Sequence, residues 1–139
     1  MAKRPLSLYR SAGLAAAVVF AAVGVCFFLV PDRILGLFNQ LSGPLGFAAA
    51  PAAPSPFYVA LAAAYMFVVT MLALNMYRRP DNPLYASILA QAKFASSALS
   101  LILFFSAGRF LILLVNGLVD GFIGLAAAWL AGWGGRKDA

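Results

Sequence analysis

Four long apolar stretches constrain the fold of this chain more than any other feature. The first runs from Ser11 to Pro31 and contains no charged residue over 21 positions. A helix of about 20 apolar residues is long enough to cross a hydrocarbon core about 30 Å thick. The pattern therefore predicts an all-α, integral membrane four-helix bundle that forms one domain over residues 1–139. Its predicted transmembrane helices cover about 11–31, 57–77, 83–105 and 110–133.

The composition supports the same class of protein. Apolar residues make up 64% of the 139 positions and charged residues only 10%. A water-soluble domain carries about 25% charged residues. The net charge of +6 comes from basic residues at the termini and in the connections, with Lys93 as the one exception. This distribution favours topology signals in a membrane protein over a nucleic-acid surface, so we predict no nucleic-acid partner.

The first connection has its own helical pattern. Its apolar residues recur at helical spacing, with Asp32, Arg33 and Asn39 on the other side. The pattern predicts a short amphipathic helix over about 32–42 that lies in the membrane interface. A hydrophobic loop packed on the bundle is the alternative. The basic head before the first apolar stretch also resembles a signal peptide. That stretch is longer than a signal-peptide core and lacks a small-x-small cleavage site, so we expect a retained anchor helix.

The loop charges predict the orientation. With four transmembrane helices, the head, the second connection and the tail share one side of the membrane. The opposite side holds only Arg33 and Arg109. Because cytoplasmic loops are enriched in Lys and Arg, both termini are predicted to be cytoplasmic, in a bacterial-type inner membrane. The seven basic residues of that side are Lys3, Arg4, Arg10, Arg78, Arg79, Arg136 and Lys137.

Two ionisable residues interrupt the last two apolar stretches. Lys93 lies 14 residues before Ala107 in the connecting turn, and Asp120 lies 13 residues after it. At about 1.5 Å of rise per residue, both lie roughly 20 Å from the turn. A lone charge at the bilayer centre costs at least ~2.5–3.5 kcal/mol, so neither residue should face lipid. The spacing therefore predicts a buried Lys93–Asp120 pair.

The helix faces that carry the pair also carry small and polar residues. Small residues let the two backbones approach closely, and polar residues can support the pair with hydrogen bonds. The predicted supporting residues are Asn116, Ser96, Ser97, Ser100 and, by its depth on the second transmembrane helix, Thr70. The predicted packing residues are Gly117, Gly121, Gly124 and Ala128.

Three interpretations of the pair remain open. It can fix helix packing, because buried pairs are established devices for setting register. Asp120 can instead titrate, or Lys93 can bind an anionic group, since ionisable residues within a membrane are functional candidates by default. In the third, one of the two pairs with a neighbouring subunit.

The residue inventory argues against catalysis. The chain has no histidine, one cysteine and no glutamate, so a recognisable catalytic constellation is missing. We predict a non-enzymatic subunit of a larger membrane complex or a homo-oligomer, with no cofactor but with bound lipids. The alternative is a small proton- or ion-coupled transporter, or a lipid- or quinone-binding protein, that uses Asp120 and Lys93.

The predicted four-helix pattern is similar in size to two families of small membrane proteins. Small multidrug-resistance transporters carry an essential carboxylate in the first helix, whereas the stretch from Ser11 to Pro31 has none. DoxX-like proteins are similar in size and in a proline-bearing segment after the first helix, here Val30-Pro31-Asp32-Arg33. That likeness includes no specific motif, so no family is assigned.

Overall fold

The computed structural model describes residues 4–51 and 56–134, and within them the chain forms five α-helices. The prediction of an all-α chain is confirmed, and four of the helices are long and apolar enough to cross a membrane. Lys3, Arg136 and Lys137, which entered the orientation prediction, lie outside the described residues. The helices are α1 (Arg4–Leu29), α2 (Pro31–Ser42), α3 (Pro56–Arg78), α4 (Leu84–Ser106) and α5 (Leu111–Gly134).

The first helix begins at Arg4 rather than at Ser11, because its polar head packs on the rest of the bundle. Tyr9 is 1% exposed, and its hydroxyl donates a hydrogen bond to the carbonyl oxygen of Asn82 over 3.0 Å. The Arg10 guanidinium lies 4.6 Å from the centre of the Tyr77 ring. These contacts join the start of α1 to the end of α3 and to the connection that follows it.

Helices α1 and α3 pack closely along an antiparallel seam. Gly13 of α1 lies against Met76 of α3, and Gly24 lies against Met66. The residue number rises along α1 while it falls along α3, which shows the antiparallel direction. An added Cβ at either glycine would lie within 3 Å of an α3 atom, so the missing side chains set the helix separation.

Helices α4 and α5 form the second close pair. Gly108 lies in the turn between them with φ of 146°, a backbone conformation that favours glycine. Gly117 then packs on Leu101, and Gly124 packs on the ring of Phe94. Helices α4 and α5 are therefore in contact from the connection at Gly108 as far as Gly124 and Phe94.

The two helix pairs meet unevenly. Helix α3 contacts α4, whereas α1 and α5 contact each other more sparsely. The four long helices thus form a ring in the order α1, α3, α4, α5, with a loose seam between α5 and α1. A cavity lies at that seam, and its wall includes α2 residues Ile34 and Phe38.

Helix α2 and the segment after it cover one end of the ring. The Asn39 side chain exchanges two hydrogen bonds with the backbone of Ala50, at 3.0 and 2.8 Å. Phe47 packs against Phe104 of α4, with 6.1 Å between the ring centres. The first connection therefore contains a helix, as one alternative predicted. That connection is also packed on the bundle, as the other alternative predicted.

Candidate functional site

The Lys93 and Asp120 side chains lie together inside the bundle. Lys93 Nζ donates a hydrogen bond to Asp120 Oδ1 over 2.8 Å, the distance of a direct ion pair. The two residues are 3% and 5% exposed. Each is positioned by a glycine- or serine-rich helix face, which lets α4 and α5 approach closely enough for a direct contact.

Aromatic rings from the other two long helices surround the ammonium group. Lys93 Nζ lies 4.8 Å from the centre of the Phe20 ring in α1 and 5.3 Å from that of Tyr65 in α3. An aromatic face attracts a cation within about 6 Å. All four long helices therefore contribute to the surroundings of this one charge.

Tyr65 also connects α3 to α4 through its hydroxyl. That hydroxyl donates to the carbonyl oxygen of Ala92, the residue before Lys93, over 3.1 Å. The sequence contains a signal for such a contact, because Tyr65 lies within an apolar stretch where its hydroxyl needs a partner. The role of Phe20 has no such signal, because a phenylalanine within an apolar helix has no feature that marks one neighbour over another.

Ser97, Ser100 and Asn116, three of the predicted supporting residues, form hydrogen bonds between α4 and α5 near the pair. Ser97 Oγ donates to the carbonyl oxygen of Gly117 over 2.6 Å. Asn116 Nδ2 donates to Ser100 Oγ over 2.8 Å. Ser96 lines the cavity beside the pair. The hydrogen bonds of Ser97 and Asn116 hold α4 and α5 in register. Lys93 and Asp120 bind each other directly in that register.

Thr70 lies away from the ion pair, in contrast to the expectation from its depth. Its hydroxyl donates to the carbonyl oxygen of Met66 in its own helix, over 2.7 Å. Thr70 lines a second cavity of about 410 Å³ between α1 and α3, whose lining includes neither Lys93 nor Asp120. The depth of Thr70 along α3 suggested contact with the pair, but its face of the helix is directed toward α1. Tyr65 is the α3 residue that reaches Lys93.

The packing residues of α5 show one further difference from the prediction. Gly117, Gly121 and Gly124 all lie against α4, where added Cβ atoms would meet Leu101, Ser97 and Phe94. Ala128 is exposed, whereas its neighbour Ala127 is only 4% exposed. A step of four residues rotates by about 40° around a helix, so the second residue of such a repeat can leave the contact face.

Lys93 and Asp120 lie in the wall of the cavity between α1 and α5. The volume of this cavity is about 410 Å³, and its lining is mostly aliphatic and aromatic. Tyr65, Ser96 and Asn116 are the other polar side chains in the lining. The site is thus a mostly apolar cavity with a paired charge in its wall. Apolar cavities with a few polar groups are typical of small-molecule sites.

Within residues 4–51 and 56–134, no three His, Cys, Asp or Glu side chains are grouped so that they could hold a metal ion. The chain matches no protein-family model and shows no significant similarity to a curated protein or to a solved structure. The ion pair and the cavity beside it are the features of the described residues that bear on function.

Proposed function

We propose that the protein is a multi-pass integral membrane protein of a bacterial-type inner membrane, with both termini in the cytoplasm. The support comes from the outer surface of the four long helices. Large apolar side chains are exposed there, such as Phe67, Phe105 and Phe122, whose exposed fractions are 66%, 76% and 74%. Lipid tails solvate such a surface, whereas water does not.

This topology predicts a specific labelling pattern. The test uses a Cys26→Ser background with one new cysteine, either Leu45→Cys after α2 or Asp81→Cys after α3; both positions are exposed. Spheroplasts treated with a membrane-impermeant maleimide are expected to label Leu45→Cys. Asp81→Cys should react only after lysis, because the basic side faces the cytoplasm. The reverse pattern would disprove the orientation, and labelling of both positions in sealed spheroplasts would disprove the membrane placement.

Within that membrane, the proposed role is a non-catalytic accessory or structural subunit of a larger complex or a homo-oligomer. The observation that carries this role is that the buried polar groups bind one another. Lys93 and Asp120 bind each other, and every buried side-chain nitrogen or oxygen in the described part of the chain has a hydrogen-bond partner. A pair closed in this way sets helix packing and leaves the outer helix faces for lipid and partner subunits.

The subunit role predicts the behaviour of the protein in mild detergent. Extracted from native membrane at native expression, it is expected to elute with a second copy or with a stoichiometric partner, identified by mass spectrometry. The connections between helices are too short to form a separate soluble domain, so the contact should involve helix faces. Recovery as a monomer of 14.6 kDa without any partner would contradict the proposal.

A second candidate is a proton- or ion-coupled transporter, or a lipid- or quinone-binding protein. One observation favours it, namely that both members of the ion pair line a cavity large enough for a small molecule. Coupled transport requires the pair to open, so Lys93→Met and Asp120→Asn would each abolish transport. If the pair is only structural, the variant with both substitutions should fold and retain the activity of the unmodified protein.

A further inference from the structure

The cavity between α1 and α5 has a polar side and an apolar side. Lys93 and Ser96 lie one turn apart on α4, and Asn116 and Asp120 lie one turn apart on α5. These residues form one patch, because α4 and α5 are in direct contact there. Aliphatic and aromatic residues of α1, α2, α3 and α5, among them Val23, Phe38 and Val119, form the rest of the wall. A molecule that fits this cavity needs one polar end and an apolar body.

The charge balance of the patch selects for a neutral ligand. Lys93 and Asp120 cancel each other across 2.8 Å. An anionic ligand would compete with Asp120 for the ammonium group and leave a buried carboxylate without a partner, which is strongly unfavourable. A cationic ligand would do the same to Lys93. A neutral group avoids both penalties because the pair stays closed.

The hydrogen-bond inventory selects for an acceptor. A lysine ammonium has three N–H donors, and Asp120 takes one of them. The Asn116 amide has two N–H donors, and Ser100 takes one. Both groups line the cavity, so each can donate to a ligand without losing the contact that it already makes. Carbonyl oxygens are the acceptors that match this arrangement.

The aromatic lining selects for a flat head group. Phe20 and Tyr65 flank Lys93, and Phe27 and Phe38 also line the cavity. Aromatic side chains pack favourably against another ring in offset or edge-to-face geometry. A planar ring with carbonyl groups and an apolar tail meets all three requirements. We propose that this cavity binds a neutral membrane quinone, with Lys93 donating a hydrogen bond to one of its carbonyl oxygens.

This proposal rests on the quinone-binding form of the second candidate function and on membrane insertion. It does not depend on the subunit role, so the two can fail separately. Binding is measured on the full-length protein in phosphatidylcholine nanodiscs, with empty nanodiscs as the reference for partitioning. The probes are decylubiquinone, decylbenzene and decanoic acid, which share an alkyl chain and differ in the head group. We expect one quinone per protein, with at least tenfold weaker binding of decylbenzene and of decanoic acid. Equal affinities for the quinone and decylbenzene, or tighter binding of decanoic acid, would overturn the proposal.

A cavity-filling variant locates the binding site. Ala62 and Ala64 are both exposed alanines of α3, but Ala62 lines the cavity whereas Ala64 lines neither of the two cavities described above. Ala62→Phe is expected to weaken quinone binding at least tenfold, and Ala64→Phe to leave it unchanged. If Ala62→Phe does not insert, Val119→Phe fills the cavity from α5, with the exposed Leu118→Phe as its control. Unchanged quinone affinity in an inserted, cavity-filled variant would overturn the proposal.

Discussion

Replacing Lys93 with methionine is expected to destabilise the folded protein by about 3–5 kcal/mol. The substitution leaves the Asp120 carboxylate, 5% exposed, without the ammonium group that binds it at 2.8 Å. Asp120→Asn should have a cost of the same order, because Lys93 then loses its counter-charge while the rings of Phe20 and Tyr65 remain. Stability is measured by unfolding in rising SDS from mild-detergent micelles.

The double variant separates a paired charge from two independent charges. Lys93→Met combined with Asp120→Asn buries no net charge, and the thioether can pack against the two rings. We expect the double variant to be more stable than either single variant, because removing both members of a buried pair is often nearly neutral. The coupling between the two changes is then read from a double-mutant cycle.

An exposed charge on another helix is the control for these variants. Arg33→Met removes one positive charge from the exposed side of α2, and its expected cost is below about 0.5 kcal/mol. If the double variant were as unstable as the worse single variant, the two residues would not act as a pair. Single variants as stable as Arg33→Met would show that the pair carries no packing energy.

The part of the fold that the sequence predicts follows from lengths and charges. Apolar stretches of membrane-spanning length predict the four long helices, because an apolar helix of that length with at most one charge in its interior has few other environments. Counting from the turn at Ala107 placed Lys93 and Asp120 at one depth, and in the structure their side chains are in contact. Depth can be counted because the rise of a helix is constant and a short turn fixes both starting points.

The angular position of a residue is much harder to predict in such a chain. In a helix with one polar side, the apolar stripe identifies the buried face, but here the exposed sides and the protein-facing sides of the long helices are both apolar. Thr70 has the right depth for the ion pair and lies on another face, while Tyr65 makes the contact. Ala128 is exposed for the same reason. The sequence reports height along the helix more reliably than direction around it.

Tertiary pairing of distant helices was also beyond the sequence. Nothing in the pattern of α1 shows that Gly13 and Gly24 contact α3, or that α1 meets α5 only loosely. Tyr9 has the position of an interfacial aromatic residue, yet it is almost fully buried and bonded to Asn82. The cavity between α1 and α5 results from this uneven packing, so its existence could not be read from any single segment.

The α1–α3 contact yields the second large prediction, because Gly13 is packed against backbone as well as side-chain atoms. An added Cβ would lie 2.8 Å from Met76 Cβ, 2.9 Å from the carbonyl oxygen of Ala73 and 2.9 Å from the Tyr77 nitrogen. Backbone atoms within a helix cannot rotate away, so Gly13→Ala must push α1 from α3. We expect a loss of about 1–3 kcal/mol, typical of overpacking, and a larger loss for Gly13→Leu.

Two other glycines give this prediction a graded control in the same SDS unfolding measurement. A Cβ at Gly121 would lie 2.9 Å from Ser97 Oγ, the end of a side chain that can rotate at the expense of its bond to Gly117. A Cβ at Gly132 would meet nothing within 4 Å, so Gly132→Ala should be neutral or slightly stabilising through helix propensity. The expected order of destabilisation is Gly13→Ala, then Gly121→Ala, then Gly132→Ala. Equal stability of the Gly13→Ala and Gly132→Ala variants would mean that α1 and α3 do not pack at this distance, and the cavity that their position creates would then have a different shape.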